Sequence, residues 1–315
     1  MKLIAATMSS LSEYLFNSTW KIQKAATAAL KLIVSHGVSK VAVTSVQNTQ
    51  GFEKVCANIR YLISSRFTDS GHGAALGNSL SVITTCVEKV QLSDQALCEL
   101  LALVSELKVG RHQYTTWTNC IGAFMGKMGA YKFFKVLPLQ LIEHDLHSLT
   151  YAQDSRSWLL PLIRHNLKID AHLDFYVEYF MPMIIQLDRL RDLEQKTHGS
   201  DIKIKKYETL LVQIWQLLPH FCSSNSPNMS DCFAQILRYL EPILNKNLLG
   251  LRDMALKTFS GLIDHCRNTK HVDEEIRKTR RGLQNIAMDY IGGLVGLYTK
   301  DEDTNNDASM TGEEN

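Results

Sequence analysis

The chain has 315 residues, of which 45% are apolar and 21% are charged, so it can form a core and is not disordered throughout. Glycine and proline, 17 and 6 residues, make up about 7% of the chain against an average near 12%. Leucine outnumbers valine 42 to 16, which favours helices over strands. The formal charge is only +2. These values predict an all-α protein.

The cysteine pattern and the hydropathy exclude two further classes. The seven cysteines lie in apolar stretches without a CxxC motif, which indicates buried thiols rather than a disulfide framework or a zinc site. No run approaches the roughly 18 consecutive apolar residues that a membrane-spanning helix needs. The sequence therefore predicts no membrane segment and no bound metal.

Apolar residues recur at intervals of three and four along most of the chain, for example at Ile22, Ala26 and Ile33, which places them on one face of a helix. Three such segments are preceded by the pairs Ser18-Thr19, Ser93-Asp94 and Ser200-Asp201, whose side chains predict N-caps. The pattern predicts helices at 2–16, 20–36, 51–65, 73–90, 94–108, 112–128, 130–136, 156–166, 173–195, 202–221, 229–245, 249–266 and 273–298.

Two of these helices resemble each other and indicate an internal repeat. Residues 20–36 align with residues 249–265, and the alignment pairs Ile22 with Leu251, Ala26 with Ala255, and Leu30 with Phe259. A large aliphatic residue, a small residue and further large apolar residues are typical of the second helix of a HEAT unit, where the small residue allows close helix packing. Paired helices in units of roughly 35–50 residues predict an α-solenoid of the HEAT or armadillo-like type with about six helix pairs.

Five of the six prolines lie in or beside apolar runs, at Pro138, Pro161, Pro182, Pro219 and Pro242. Each would cost about 3 kcal/mol inside a straight helix. They therefore predict kinks or helix starts.

Trp158 and Trp215 lie in such apolar runs and are predicted to be core residues.

The sequence contains no established catalytic motif. GxGxxG, GxxxxGK[ST], HExxH and GxSxG are all missing. The acidic and histidine-containing stretch 143–147 is interpreted as a solvated loop. His220 with Cys222 and His265 with Cys266 are interpreted as core packing, because neighbouring helical positions point in different directions. We expect no enzyme, no cofactor and no small-molecule substrate.

Two clusters of basic residues are the candidate functional residues. Residues 1–300 carry a formal charge of +8, because six acidic residues and no basic one lie in 301–315. The clusters fit a solvated helix face, a contact with RNA phosphates, or a nuclear-import signal. In the second, Glu274 should pair with Lys278 while Ile276, Leu283 and Ile286 face inward. The clusters comprise Lys203, Lys205 and Lys206, and Arg277, Lys278, Arg280 and Arg281.

Three ordered segments resemble a known family. They are DSRSWLLPLIRHNL at 154–167, LDFYVEYFMPMIIQL at 173–187 and KKYETLLVQIWQLLPHFC at 205–222. Similar blocks in the same order, with like spacing, occur in the HEAT-repeat ribosomal RNA-processing proteins, the family of RNA-processing protein twelve. GAYKFFKVLPLQL at 129–141 also resembles the family. The resemblance extends over about 110–300, and the preceding residues look like weaker repeats.

The resemblance implies a non-catalytic scaffold in ribosome biogenesis, with roles in pre-rRNA processing, maturation of pre-ribosomal subunits and nuclear export. It implies a location in the nucleus and nucleolus. The implied partners are proteins of pre-ribosomal particles, pre-rRNA and nuclear transport factors. The alternatives are a karyopherin-like transport adaptor and a general HEAT-repeat interaction module. The positive formal charge of residues 1–300 favours the scaffold, since an importin-like adaptor needs an acidic surface for basic cargo.

The domain prediction has three parts. HEAT-like repeats should occupy 1–110, repeats that carry the family resemblance should occupy 111–299, and 300–315 should form an acidic disordered tail. Family members are several times longer, so the chain is expected to be a fragment. With a repeat face exposed, it should be poorly soluble or self-associate.

Overall fold

The computed structural model describes residues 2–38, 73–107, 109–145, 148–151, 155–169, 171–222, 229–245, 249–268, 274 and 276–284. Two compact units, Met1–Ala171 and His172–Asn315, make up the chain and are described in turn. The helix predicted at 51–65, the acidic tail and most of the helix predicted at 273–298 lie outside the described residues. The division predicted between 110 and 111 stays a prediction.

The first unit consists mainly of amphipathic helices, as predicted. A 3-10 turn at Tyr14–Phe16 follows α1, and α2 continues as a π-helix over Ile33–Val38. The helices are α1 (Lys2–Glu13), α2 (Trp20–Leu32), α3 (Gly73–Lys89), α4 (Asp94–Ser105), α5 (Tyr114–Met128), α6 (Ala130–Val136) and α7 (Leu159–Asn166).

Helix α5 forms the centre of this unit and packs against α3, α4, α6 and α7. Its inner face carries the fully buried residues Ile121, Phe124 and Met125. Gly129 separates α5 from α6 with a φ of 77°, a left-handed conformation that favours glycine and allows the chain to turn at once. The local apolar period therefore becomes a core in which one helix contacts four others.

Residues 143–145 lie in a strand and not in the loop that the sequence predicted. Strand β1 (Ile142–Asp145) pairs antiparallel with β2 (Ser148–Tyr151), with Ile142 opposite Tyr151. Threonine and tyrosine favour strands, but four residues are too few to show an alternating pattern. The hairpin provides the only strands within the described residues.

The second unit is helical over the described residues. A short helix α8 (Leu173–Phe175) continues through a π-helix (Tyr176–Phe180) into α9. The remaining helices are α9 (Met181–Lys196), α10 (Asp201–Trp215), α11 (Leu218–Phe221), α12 (Met229–Asn245) and α13 (Leu249–Asn268). Residues 276–284 are also helical.

An aromatic cluster forms much of the core of this unit. The fully buried Tyr176 packs against Phe180, Trp215 and Phe221, with ring centroids 5.3–6.4 Å apart. Its hydroxyl donates a hydrogen bond of 3.1 Å to the carbonyl of Ile214. This bond satisfies a polar group that would otherwise be buried without a partner.

Pro182 and Pro219 stand at helix starts, as predicted, and Pro219 shortens one predicted helix, whereas Pro242 lies inside α12. The helix predicted at 202–221 ends at Trp215, and a new helix begins just before Pro219. A proline clashes with the carbonyl four residues earlier, which here belongs to Trp215. Pro182 likewise stands in the first turn of α9, directly after the π-helix.

The aligned repeat helices share the small buried residue but not every apolar position. Ala26 and Ala255 are both buried, as the HEAT pattern requires. Ile22 is 41% exposed, whereas its counterpart Leu251 is buried. The shared feature is therefore the alanine that allows close packing.

One of the three predicted N-caps forms a side-chain hydrogen bond. The Ser93 hydroxyl accepts a bond of 3.3 Å from the amide of Ala96. Thr19 and Ser200 occupy N-cap positions without such a bond. The Ser200 amide instead donates to the carboxylate of Glu194.

Candidate functional site

The first basic cluster lies at the start of α10, and one of its lysines forms an ion pair with the preceding helix. Lys203 donates a hydrogen bond of 2.9 Å to Glu194 at the end of α9. This bond holds the pKa of the Glu194 carboxyl below its ordinary value and raises the pKa of Lys203. Lys205 and Lys206 are exposed on the next turn. Lys203 therefore stabilises the turn between α9 and α10.

The second cluster lies on the helical residues 276–284. Arg277 lies 3.9 Å from Glu274. The basic partner of Glu274 is therefore Arg277 and not Lys278, as had been predicted. The Arg280 guanidinium donates a hydrogen bond to the carbonyl of Cys266 near the end of α13. An arginine at this position binds a carbonyl that the helix leaves unpaired.

The remaining cations of the second cluster are available to a ligand. Lys278 and Arg281 are exposed and form no ion pair within the described residues. Ile276 is buried, as predicted, while Leu283 is half-buried and Ile286 lies outside the described residues. The helix thus combines a buried side with an exposed basic side.

The structure places Cys222 in the core, as predicted. Burial raises the pKa of the fully buried Cys222 thiol well above its ordinary value. His220, two residues away, is exposed, so the core-packing prediction for this residue was wrong. Burial also raises the pKa of Cys266. A nucleophilic cysteine needs a lowered pKa, so the environment opposes this chemistry at both thiols.

The two tryptophans predicted to be core residues differ in their surroundings. Trp215 is 2% exposed within the aromatic cluster, which confirms the prediction. Trp158 is only half-buried, so the prediction for this residue was wrong. It precedes α7 in a turn, and its ring lies 4.5 Å from that of Trp117.

A groove beside the first cluster was missed by the sequence analysis. It has a volume of about 740 Å³ and is lined by residues of α9 and α10, together with Tyr239 and Leu251. Lys205, Thr209 and Val212 share one face of α10 through their spacing, a signal that the sequence does contain. Their common face becomes a groove wall only because α9, α12 and α13 supply the other sides.

None of the helices in the described ranges combines the length and the apolar character needed to cross a bilayer.

Comparisons with known proteins agree with the helical architecture. The family described as "Ribosomal RNA-processing protein 12, HEAT repeats" matches residues 17–300. The RRP12-like protein of Gallus gallus is 29% identical over 218 residues, which cover 69% of this chain and 15% of the relative. Ribosomal RNA-processing protein 12 of Saccharomyces cerevisiae is 24% identical over 233 residues, which cover 70% of this chain and 18% of the relative.

The RRP12-like protein of Homo sapiens is 36% identical over 106 residues, covering 33% of this chain and 8% of the relative. The matched segments therefore span less than one fifth of the length of each of these relatives.

The paired amphipathic helices and the match to a HEAT-repeat family define the class of protein as an all-α HEAT-repeat solenoid, which confirms the predicted fold class. Within that class the family match extends over most of the chain. The chain belongs to the RRP12 HEAT-repeat family.

Proposed function

We propose that the chain is a non-catalytic scaffold segment that acts in ribosomal RNA processing within pre-ribosomal particles. The observation that carries the proposal is the family match over residues 17–300. Three relatives that align with this chain are named as RRP12-like or ribosomal RNA-processing proteins. Maturation and nuclear export of pre-ribosomal subunits, and a place in the nucleus and nucleolus, are the finer parts of the proposal.

The test is depletion of the protein in its own cells, followed by analysis of ribosomal RNA precursors. We expect precursors to accumulate and a tagged copy to co-sediment with pre-ribosomal particles in a sucrose gradient. Expression of the tagged copy should restore processing. Normal precursor levels after depletion, with the tagged copy only in light fractions, would refute the proposal.

We further propose that exposed cations of the two basic clusters contact RNA phosphates. Of the seven candidates, Lys203, Arg277 and Arg280 have protein partners, whereas Lys278 and Arg281 are exposed without an ion pair among the described residues. The formal charge of +8 over residues 1–300 supports attraction to a polyanion. Such contacts depend steeply on salt and little on base sequence.

A pair of variants separates phosphate contact from helix packing. Lys278→Glu with Arg281→Glu should weaken binding to a single-stranded RNA oligomer and reduce its salt dependence, while the melting temperature stays the same. Arg280→Ala should lower the melting temperature, because the Cys266 carbonyl loses its partner. RNA affinity unchanged by the double reversal would show that this cluster is a solvated helix face.

A further inference from the structure

A row of lysines with an exposed aromatic ring runs along α2 in the first unit. Trp20, Lys24 and Lys31 lie four and seven residues apart, which places them on one side of the helix, over a length of about 16 Å. Lys21 stands beside Trp20 in the first turn. The opposite side of α2 carries the buried Ala26 and packs against α1 and α3. The row is therefore directed away from the core.

Acidic residues do not balance the charge of this row. Residues 14–38 contain no aspartate and no glutamate. Lys21 and Lys24 are exposed and form no ion pair within the part of the chain that the structure describes. The neighbouring helices α1 and α3 each carry one acidic residue, Glu13 and Glu88, together with one basic residue, so they add no net charge. The surface of α2 is therefore positive.

Trp20 adds a flat ring to this positive surface. Its side chain is 60% exposed, more than any other aromatic residue that the structure describes. The Lys24 ammonium group lies 4.9 Å from the centre of the Trp20 ring, so a cation and an aromatic ring stand side by side. A nucleotide of a single strand carries the two matching groups, since its base stacks on an aromatic ring and its phosphate pairs with a cation.

We propose that the row Trp20, Lys21, Lys24 and Lys31 on α2 is a binding surface for single-stranded RNA. A base stacks on the exposed part of the Trp20 ring, and phosphates of the strand pair with the lysines. Both contacts are open to any base, so this surface binds RNA with little sequence preference. The inference rests on the proposed function for its ligand, but it places the contact on the first unit, apart from the two basic clusters.

A protein partner fits this row less well than RNA. A docked helix needs adjoining apolar side chains on the surface that receives it. Two exposed aliphatic residues of α2, Ile22 and Leu32, do not extend the Trp20 ring into such a surface. Ile22 is two residues from Trp20 and points to another side of the helix, and Leu32 lies about 18 Å further along. The ring is thus bordered by lysines.

The experiment uses the full chain and two fluorescent strands of 12 nucleotides in fluorescence anisotropy. One is single-stranded RNA of mixed sequence, and the other has the same ribose-phosphate backbone without bases. We expect the chain to bind the RNA more tightly than the abasic strand, because only the RNA has bases that stack on Trp20. Affinity for both strands should fall steeply with salt.

Three variants separate the ring from the cations. Trp20→Ala should weaken RNA binding about tenfold and leave the abasic strand unaffected, whereas Trp20→Phe keeps a ring and should retain most of the affinity. Lys21→Glu with Lys24→Glu should weaken binding of both strands at least tenfold and reduce the salt dependence. Lys89→Glu is the matched control, since Lys89 is exposed on α3 beside Glu88 and outside the row. Circular dichroism establishes that each variant is folded.

Several outcomes would overturn the proposal. One is RNA affinity that is unchanged in Trp20→Ala and in the double lysine reversal, and another is an equal loss in Lys89→Glu. RNA binding that only Lys278→Glu with Arg281→Glu removes would assign the contact to the second basic cluster. Tighter binding of a glutamate decapeptide, or of phosphatidylserine vesicles, than of RNA would assign the row to an acidic protein or a membrane surface.

The test is separate from that of the proposed function. It uses purified protein and short strands, whereas the proposed function is tested by ribosomal RNA precursors after depletion. Precursors that accumulate while the α2 variants bind RNA normally would refute the RNA surface alone. Normal precursor levels with the expected losses in the α2 variants would refute the role in processing and keep the RNA surface.

Discussion

At the scale of single residues, burial depends on where a side chain stands relative to its helix. Trp215 is the last residue of α10, on the face that packs into the aromatic cluster, and is 2% exposed. Trp158 stands in the turn before α7, where its ring contacts that of Trp117 but the residue is only half-buried. Both were predicted to be core residues from similar apolar runs, but the position relative to the helix start differs.

Truncation of the two tryptophans should therefore have unequal effects. We expect Trp215→Ala to lower the free energy of unfolding by about 3–5 kcal/mol, because it leaves a cavity in a packed core. Trp158→Ala should lower the free energy of unfolding by about 1–3 kcal/mol, mainly because the contact with the Trp117 ring is lost. Urea unfolding measures both values. Equal losses would contradict the difference in burial.

The buried thiols predict how stability depends on pH. Burial raises the pKa of Cys120 from 9.0 to about 12. Above pH 9 the unfolded chain releases this proton while the folded chain retains it, so stability falls as the pH rises from 9 to 12. The loss from one such thiol approaches about 1.4 kcal/mol per pH unit.

Cys120→Ala provides the comparison for this prediction. The variant lacks the thiol, so its urea midpoint should decline less steeply than that of the parent protein between pH 8 and pH 10. Other groups that titrate in this range affect both proteins equally. Identical declines would show that the Cys120 thiol titrates alike in the folded and unfolded chains.

At the scale of elements, small residues set how closely two helices approach. Helix α5 packs against α7, and Gly122 faces Asn166 of α7. A Cβ at position 122 would lie 2.7 Å from the Asn166 side chain, which donates a hydrogen bond of 2.9 Å to the carbonyl of Leu162. A Cβ at Gly77 in α3 would meet no atom within 4 Å.

Alanine at these two glycines should have opposite effects. Gly77→Ala should stabilise the protein by about 0.5–1 kcal/mol, because alanine favours the helix and nothing opposes it. Gly122→Ala should destabilise it by about 1–3 kcal/mol, because Asn166 or the helix itself has to shift. Thermal unfolding by circular dichroism provides the measurement. If both variants gain stability, α5 and α7 do not approach this closely.

At the scale of the whole molecule, the chain divides into two compact units at Ala171 and His172. Each unit has its own buried core, with Phe124 among the fully buried residues of the first and Tyr176 among those of the second. A segment with its own core can fold alone.

Separate expression of 1–171 and 172–315 tests this division. We expect each fragment to show a helical circular dichroism spectrum and a cooperative thermal transition, because its core is internal to the fragment. Loss of the transition in one fragment, with recovery on mixing, would show that its core is not independent.

A strand content above about one fifth in the full chain would contradict the all-α class, since the two described strands contain four residues each.

Local sequence determined the fold class and most helix positions. Helical periodicity depends on residues three and four apart, so it can be identified without knowledge of the fold. The prolines predicted helix starts for the same reason, since a proline acts on the carbonyl four residues earlier. Three ordered blocks of residues also sufficed to indicate the family. A hairpin with two strands of four residues escaped prediction, because so short an alternation has no clear period.

Only the tertiary structure decided which charged residues are available and where a ligand fits. Lys203 is joined to Glu194 across a turn, and the Arg280 guanidinium binds a carbonyl at the end of a different helix, so neither partner follows from helical spacing. The groove combines residues between Ile184 and Leu251. Their proximity arises because helices distant in sequence pack against one another, and packing of this kind depends on non-local contacts that periodicity does not specify.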